Sequence, residues 1–103
     1  MNRNKAFYTD LVRTVNRILG RRALSVERIV RTVDEAKRIR QNRGALVLVQ
    51  YLTSLSERLF TPAEVEKLKR SPKKREYTDR MLDLMVHEQV VSPTEARMLK
   101  RMV

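Results

Sequence analysis

The placement of glycine and proline constrains the fold of this chain more than any other feature of its sequence. Two glycines and three prolines occur among 103 residues, and they separate stretches whose apolar residues recur every three or four positions. These five residues are Gly20, Gly44, Pro62, Pro72 and Pro93. Since glycine and proline commonly end or begin helices, the pattern predicts an all-α protein, a compact bundle of five or six short helices forming a single domain over residues 1–103.

The first half of the chain contains two amphipathic segments and one ambiguous segment. Residues 5–19 and 26–42 have clear helical periodicity, and Ser25 is a good N-cap for the second of these helices. Within residues 45–60, the stretch Ala45–Tyr51 looks like a buried strand, whereas the leucines that follow continue a helical period. Because no other segment offers a strand partner, we predict a buried helix there, and a strand is the alternative.

Three further helix starts are predicted after residue 60. Thr61-Pro62-Ala63-Glu64 and Ser92-Pro93-Thr94-Glu95 are capping boxes with proline at the first helical position, and Ser71-Pro72 is predicted to begin a helix between them. Residues 57–70 also match residues 88–101 weakly. This match indicates either a duplicated helical hairpin or two similar helix starts, and the second interpretation needs no duplication.

The composition argues against several classes of protein. The chain contains no Cys and one His, His87, which argues against disulfide scaffolds, zinc fingers, thiol nucleophiles and most metal sites. It shows neither a secretory signal nor an apolar run long enough to span a membrane. We therefore predict a protein without enzymatic activity, catalytic residues, metal or cofactor, located in the cytoplasm or another reducing intracellular compartment.

The positive charge of the chain is concentrated in two regions. Lys and Arg number 23 against 12 Asp and Glu, which gives a formal net charge of +11. Residues 1–44 carry +8 and residues 61–75 carry +4, whereas residues 45–60 are neutral and residues 76–103 carry −1. A strongly basic chain favours anionic partners, so these two regions are where a partner is expected to bind.

Two clusters of cations are the predicted binding residues. Arg13, Arg17 and Arg21 follow at intervals of four, which predicts a ridge on the first helix, opposite its apolar stripe. The second cluster has six basic residues within nine positions: Lys67, Lys69, Arg70, Lys73, Lys74 and Arg75. Several of these are predicted at a helix N-terminus, where the helix dipole disfavours cations, while the arginines of the ridge repel one another. Contacts with phosphates would offset both effects. A solvated face that keeps the protein soluble is the alternative for the ridge.

Short motifs point to nucleic acid only weakly. Ser71-Pro72-Lys73-Lys74 resembles the Ser-Pro-Lys-Lys elements of histone tails, which lie in A·T-rich minor grooves, but it occurs once. Residues 12–31 partly fit a helix-turn-helix, in which Arg28 and Arg31 would face the bases, although Arg31 is also spaced to pair with acids on its own helix. Tyr8 and Tyr51 are the only aromatic residues that the periodicity leaves free for stacking on single strands.

One stretch resembles a known family of interaction domains. Leu59–Leu68 and Tyr77–Leu84 resemble the middle of a caspase-recruitment or related death-fold domain. The resemblance implies a helical bundle that pairs with other proteins through charged faces and catalyses nothing. It covers about a third of the chain, and the Lys-Gly and aromatic ending usual in the family is absent after Leu84, so we do not assign the chain to this family.

Taken together, these patterns predict a small, basic, non-catalytic protein that binds DNA or RNA, or associates with a nucleoprotein, through its Arg and Lys clusters. The alternative is a helical adaptor or regulator that docks on an acidic protein, using the same cations and an exposed Leu/Met patch within residues 81–102. A homodimer is compatible with both predictions.

Overall fold

Seven α-helices make up most of the part of the chain that the structure, a computed structural model, describes, residues 5–102. The all-α prediction is confirmed, while the predicted number of five or six helices is too low. The helices are α1 (Lys5–Leu19), α2 (Val26–Arg43), α3 (Ala45–Thr53), α4 (Leu55–Leu59), α5 (Pro62–Arg70), α6 (Lys74–His87) and α7 (Pro93–Met102). None of these helices is long and apolar enough to cross a membrane.

The additional helix comes from the segment whose structure was ambiguous. Residues 45–60 form α3 and α4, which are separated at Ser54, where the backbone N–H donates to the carbonyls of Gln50 and Tyr51. Ala45–Tyr51 is helical throughout, so the strand alternative is wrong. The helix is also less buried than predicted, because Leu48 is its one buried residue and the side chain of Leu46 is 73% exposed.

The start of α6 lies slightly later than predicted. Ser71 and Pro72 form a turn in which the Ser71 carbonyl accepts a hydrogen bond from Lys74 N–H, and the Ser71 hydroxyl accepts one from Lys73 N–H. Ser71 is extended, with ψ at 137°, as expected for a residue that precedes proline. The α-helix therefore begins at Lys74, two residues after the proline.

Helix α1 lies at the centre of the bundle and packs against α2, α5 and α6. Its residues Leu11 and Val15 are completely buried, as are Ile29 of α2 and Leu84 of α6. The ring of Phe7, near the start of α1, stacks on the ring of His87 at the end of α6, with centroids 3.9 Å apart. At the other end of α1, Ile18 shares a surface depression with the turn before α6. Helices α1 and α6 are therefore antiparallel.

Both predicted capping boxes are present. Thr61 N–H donates to the Glu64 carboxylate while Glu64 N–H donates to the Thr61 hydroxyl, and Ser92 and Glu95 exchange the same two hydrogen bonds. Each glutamate also binds an arginine from another part of the chain: Glu64 binds Arg21, and Glu95 binds Arg40. The weak repeat in the sequence thus corresponds to two similar joints between helices.

Candidate functional site

Most of the predicted binding residues lie at one end of the antiparallel α1–α6 pair. Lys67 Nζ, from α5, donates to the carbonyl of Leu19 at 3.2 Å, which brings the end of α1 next to the C-terminal half of α5. The turn from α5 to α6 follows directly. We call this region the basic end, and it contains Arg17, Arg21, Lys67, Lys69, Arg70, Lys73, Lys74 and Arg75. Arg13 lies one helical turn further back along α1.

The predicted ridge on α1 is wrong at its third member. Arg13 and Arg17 are exposed on the helix, as the spacing indicates. Arg21 is not on the helix, because α1 ends at Leu19 and Gly20 has a φ of 72°, a left-handed conformation that suits glycine and turns the chain away. The Arg21 guanidinium instead forms an ion pair with Glu64 at the start of α5.

Helix α5 divides the second cluster between two surfaces. Lys67 and Arg70 line a depression of about 440 Å³, which they share with Ile18 of α1. Lys69 points to a different side of α5, where it lines an apolar cleft together with Lys74 of α6. The six cations therefore do not form one continuous patch, although all of them lie at the same end of the molecule.

Three of the nine predicted residues already bind groups of this protein. Lys67 donates to Leu19, Arg21 pairs with Glu64, and Arg70 lies 3.8 Å from a carboxylate oxygen of Glu66 on its own helix. The other six make no ion pair or side-chain hydrogen bond with any residue between 5 and 102; they are Arg13, Arg17, Lys69, Lys73, Lys74 and Arg75. These six exposed cations are the ones free to meet an external anion.

The N-terminus of α6 is electrostatically unfavourable. Lys73 precedes the helix without a side-chain cap, and Lys74 and Arg75 occupy its first turn, where the helix dipole is positive. Glu76 is the acid in this turn, and within residues 5–102 it makes no capping hydrogen bond. The equivalent glutamates of α5 and α7, Glu64 and Glu95, do cap their helices. Hydrogen bonds from the Thr61 and Ser92 backbones, reinforced by the neighbouring arginines, hold the pKa of each glutamate below its usual range.

The helix-turn-helix interpretation is not supported by the surroundings of Arg28. Its guanidinium is half-buried and donates to the carbonyls of Ala23 and Leu59, at 3.0 and 2.7 Å. It therefore fixes the α1–α2 loop against the end of α4 and cannot point at a base. Arg31 is exposed, and within residues 5–102 it makes none of the ion pairs that its spacing predicted.

Aromatic stacking on a nucleic acid has no platform within residues 5–102. Tyr8, predicted to be free, is 2% exposed and belongs to the core. Tyr51 is half-buried and lies under the guanidinium of Arg58, 5.1 Å from its ring centroid. The remaining aromatic side chains between residues 5 and 102 are buried or half-buried, so the basic end exposes no aromatic ring for stacking.

A second concave surface was not predicted from the sequence. A cleft of about 210 Å³ lies between α3, α4, α5 and α6, and Leu99 of α7 also contacts it. Its apolar lining consists of Leu52, Val65, Leu68, Tyr77, Met81, Leu82 and Leu99, and all of these except the half-buried Leu52 are at most 7% exposed. Thr53, Ser56 and Thr78 also line the cleft. Burial raises the pKa of Tyr77, whose hydroxyl lies 2.7 Å from that of Ser56. In the sequence these residues look like ordinary core positions, so nothing marked the cleft in advance.

Groups that could hold a metal are absent from the described residues: no three His, Cys, Asp or Glu side chains come together between residues 5 and 102. Asp79 and Asp83, which the sequence places on one helix face, both approach Lys100 of α7, at 3.6 and 3.9 Å.

Comparison with protein-family models, curated proteins and solved structures finds no match to this chain.

Proposed function

We propose that this protein is a small, non-catalytic accessory protein that binds nucleic acid, or a nucleoprotein, by contacting phosphates with its basic end. One observation carries the proposal: six of the nine predicted cations lack any carboxylate partner within residues 5–102, and three of these lie where a helix dipole disfavours them. An array of phosphates would neutralise these charges and release condensed counterions, which is the main source of sequence-independent affinity.

The nine residues would contribute in two ways. Arg13, Arg17, Lys73 and Arg75 are exposed and unpaired, so they are the first candidates for direct phosphate contacts, and Lys69 and Lys74 add charge on the cleft side of α5. In contrast, Arg21, Lys67 and Arg70 bind groups of the protein itself. Arg21 and Lys67 join the end of α1 to α5, whereas Arg70 pairs with Glu66 on its own helix and stays 83% exposed. All three raise the local positive potential.

An acidic protein could use the same cations, and this remains the second candidate function. Met98 and Met102 on α7 are 55% and 60% exposed, whereas Met81 and Met85 are buried, so the predicted Leu/Met patch narrows to the surface of α7. Self-association through this surface stays a prediction. The nucleic-acid proposal keeps the predicted cytoplasmic or other reducing intracellular location.

The proposal is tested by fluorescence anisotropy with a labelled DNA duplex and a labelled single-stranded RNA, each titrated at several salt concentrations. We expect the logarithm of the affinity to fall linearly with the logarithm of the salt concentration, with a slope that corresponds to about 4–8 neutralised phosphates. The tighter ligand then identifies the nucleic acid. Weak binding of both probes at low salt would reject the proposal in favour of an acidic protein partner.

A matched pair of variants separates phosphate contacts from net charge. The triple variant Arg17→Ala/Lys73→Ala/Arg75→Ala should make the salt dependence shallower by about 2–3 in slope, because about one contact is lost with each side chain. Arg31→Ala/Arg97→Ala/Arg101→Ala removes the same charge outside the basic end. Equal losses in both variants would show that the binding is diffuse and that the basic end has no special role.

A further inference from the structure

The apolar cleft between α3, α4, α5 and α6 is distinct in chemistry from the rest of the surface. Its wall is mostly apolar, although Thr53, Ser56 and Thr78 also line it, and the cleft is open to solvent. Clefts suited to small-molecule ligands usually enclose roughly 300–1,000 Å³. At about 210 Å³ this cleft is smaller. It suits one or two apolar side chains of a larger partner that rests on the rim.

The rim of the cleft indicates the charge of that partner. Lys69 and Lys74 lie on the rim, and neither makes an ion pair within residues 5–102, whereas Glu57 is the only carboxylate that lines the cleft. A second copy of this chain fits poorly, because its net charge of +11 would repel the rim. A nucleic acid could meet the two lysines but supplies no aliphatic side chains for the wall.

The fold indicates the conformation of the partner. The structure has no strand between residues 5 and 102, so the cleft offers no sheet edge to an extended peptide. A helix pairs most of its backbone groups internally and so needs no such edge. Amphipathic helices bind grooves of this kind with apolar side chains spaced three or four residues apart.

We infer that the cleft between α3, α4, α5 and α6 binds an acidic amphipathic helix of a partner protein, whose apolar side chains enter the cleft while its carboxylates pair with Lys69 and Lys74. This inference does not depend on nucleic-acid binding at the basic end. The two surfaces meet at the turn between α5 and α6, where Lys73 and Arg75 do not line the cleft. A protein with both sites would connect a nucleic acid to an acidic partner.

The experiment selects binders from a displayed library of helix-forming peptides of about 16 residues, with Asp and Glu on one face and varied residues on the other. We expect enriched peptides to carry large apolar residues at intervals of three and four. A labelled peptide from the selection is then measured by anisotropy against two variants. Lys69→Glu/Lys74→Glu should weaken binding by at least about tenfold. Lys73→Glu/Arg75→Glu changes the net charge equally, away from the cleft, and should have a much smaller effect.

A second measurement reports contact with the cleft wall and does not depend on any variant. In protein labelled with ¹³C at the methionine methyl groups, the signal of Met81, which lines the cleft, should shift on peptide binding. The signal of Met85, which is completely buried elsewhere, should stay in place. Thermal melts of both double variants show that they remain folded.

Three outcomes would overturn the inference: no peptide is enriched, both double variants weaken peptide binding equally, or Met81 does not respond to a bound peptide. A DNA duplex that displaces the peptide and itself shifts Met81 would also overturn it, since the cleft would then belong to the nucleic-acid surface. Loss of nucleic-acid binding alone would reject the proposed function and leave this inference standing.

Discussion

Helices α5, α6 and α7 each begin at or just after a proline that follows a serine or threonine, but they begin in two different ways. Thr61-Pro62-Ala63-Glu64 and Ser92-Pro93-Thr94-Glu95 end in a glutamate that closes a capping box and binds a distant arginine. Ser71-Pro72-Lys73-Lys74 has a lysine at the fourth position, and Glu76, in the first turn of the helix that follows, makes no capping hydrogen bond within residues 5–102. The same chain thus contains a favourable helix start twice and departs from it where its cations are densest. This difference is the reason why we include the start of α6 in the proposed binding surface.

The largest loss of stability is expected from removing the arginine that binds the segment before α7. Arg40 donates to the buried Val90 carbonyl at 3.0 Å and to Glu95 at 2.9 Å. Arg40→Ala should lower the free energy of unfolding by about 1.5 kcal/mol, a value already reduced because the arginine is partly exposed to solvent. Urea denaturation measures this change in the free energy of unfolding. Arg38→Ala, which removes an exposed ion pair with Glu35 on the same helix, should cost far less stability. Similar losses in both variants would contradict the structural role of Arg40.

Removing a capping hydroxyl should have a smaller effect. Thr61→Ala and Ser92→Ala each remove the acceptor for one backbone N–H at a helix start, and each should cost about 1 kcal/mol. Neither should change the affinity for nucleic acid, since neither residue lies at the basic end. Thermal denaturation and anisotropy on the same samples check both expectations. If either variant lost affinity for nucleic acid without losing stability, that residue would belong to the binding surface and would not be a structural cap.

Converting the third helix start into the pattern of the other two sharpens the comparison. Lys74→Glu replaces a cation by an acid in the first turn of α6, so we expect it to stabilise the protein by about 0.5 kcal/mol while weakening nucleic-acid binding. Lys69→Glu makes the same charge change in the last turn of α5, where the dipole has the opposite sign, and should destabilise slightly. If Lys74→Glu destabilised the protein, the lysine would contribute to folding, which would contradict the expectation that the helix dipole disfavours it.

The smallest expected effect is a dependence of stability on acid pH. The pKa values of Glu64 and Glu95 are lowered in the folded protein, mainly by backbone hydrogen bonds from Thr61 and Ser92. Their contribution to stability is therefore complete above the ordinary glutamate pKa of about 4.3 and is lost as the pH falls through the lowered values. Melting temperatures between about pH 6 and pH 3 should fall less steeply for Glu64→Gln than for the wild type. Parallel curves would contradict the lowered pKa of Glu64.

Much of the helical organisation was predictable, because its signals are local. Capping boxes, prolines and helical periodicity act within a few residues, and the end of α1 and the starts of α5 and α7 lie where these signals place them. The break at Ser54 was not predictable, because the apolar period runs across it without a glycine or proline. Tyr8 was assigned to the surface because one residue's position on a helix does not show how many neighbouring helices will cover it.

The candidate site was predictable only as a set of charges. The sequence shows where cations are dense, and eight of the nine chosen residues do lie at one end of the fold. It does not show that Arg21 leaves α1 to pair with a residue 43 positions away, or that Lys67 binds the end of α1. Those contacts join residues far apart in the chain, so they depend on how α1 and α5 pack.

By itself, the sequence determined the all-α architecture, most helix boundaries and the two capping boxes. Each of these follows from interactions within one or two helical turns or from composition. Tertiary structure alone decided which cations stay unpaired, since an ion pair or a carbonyl contact between elements depends on their packing. It also decided that apolar residues from four helices, which read as core in the chain, leave an open cleft beside Lys69 and Lys74.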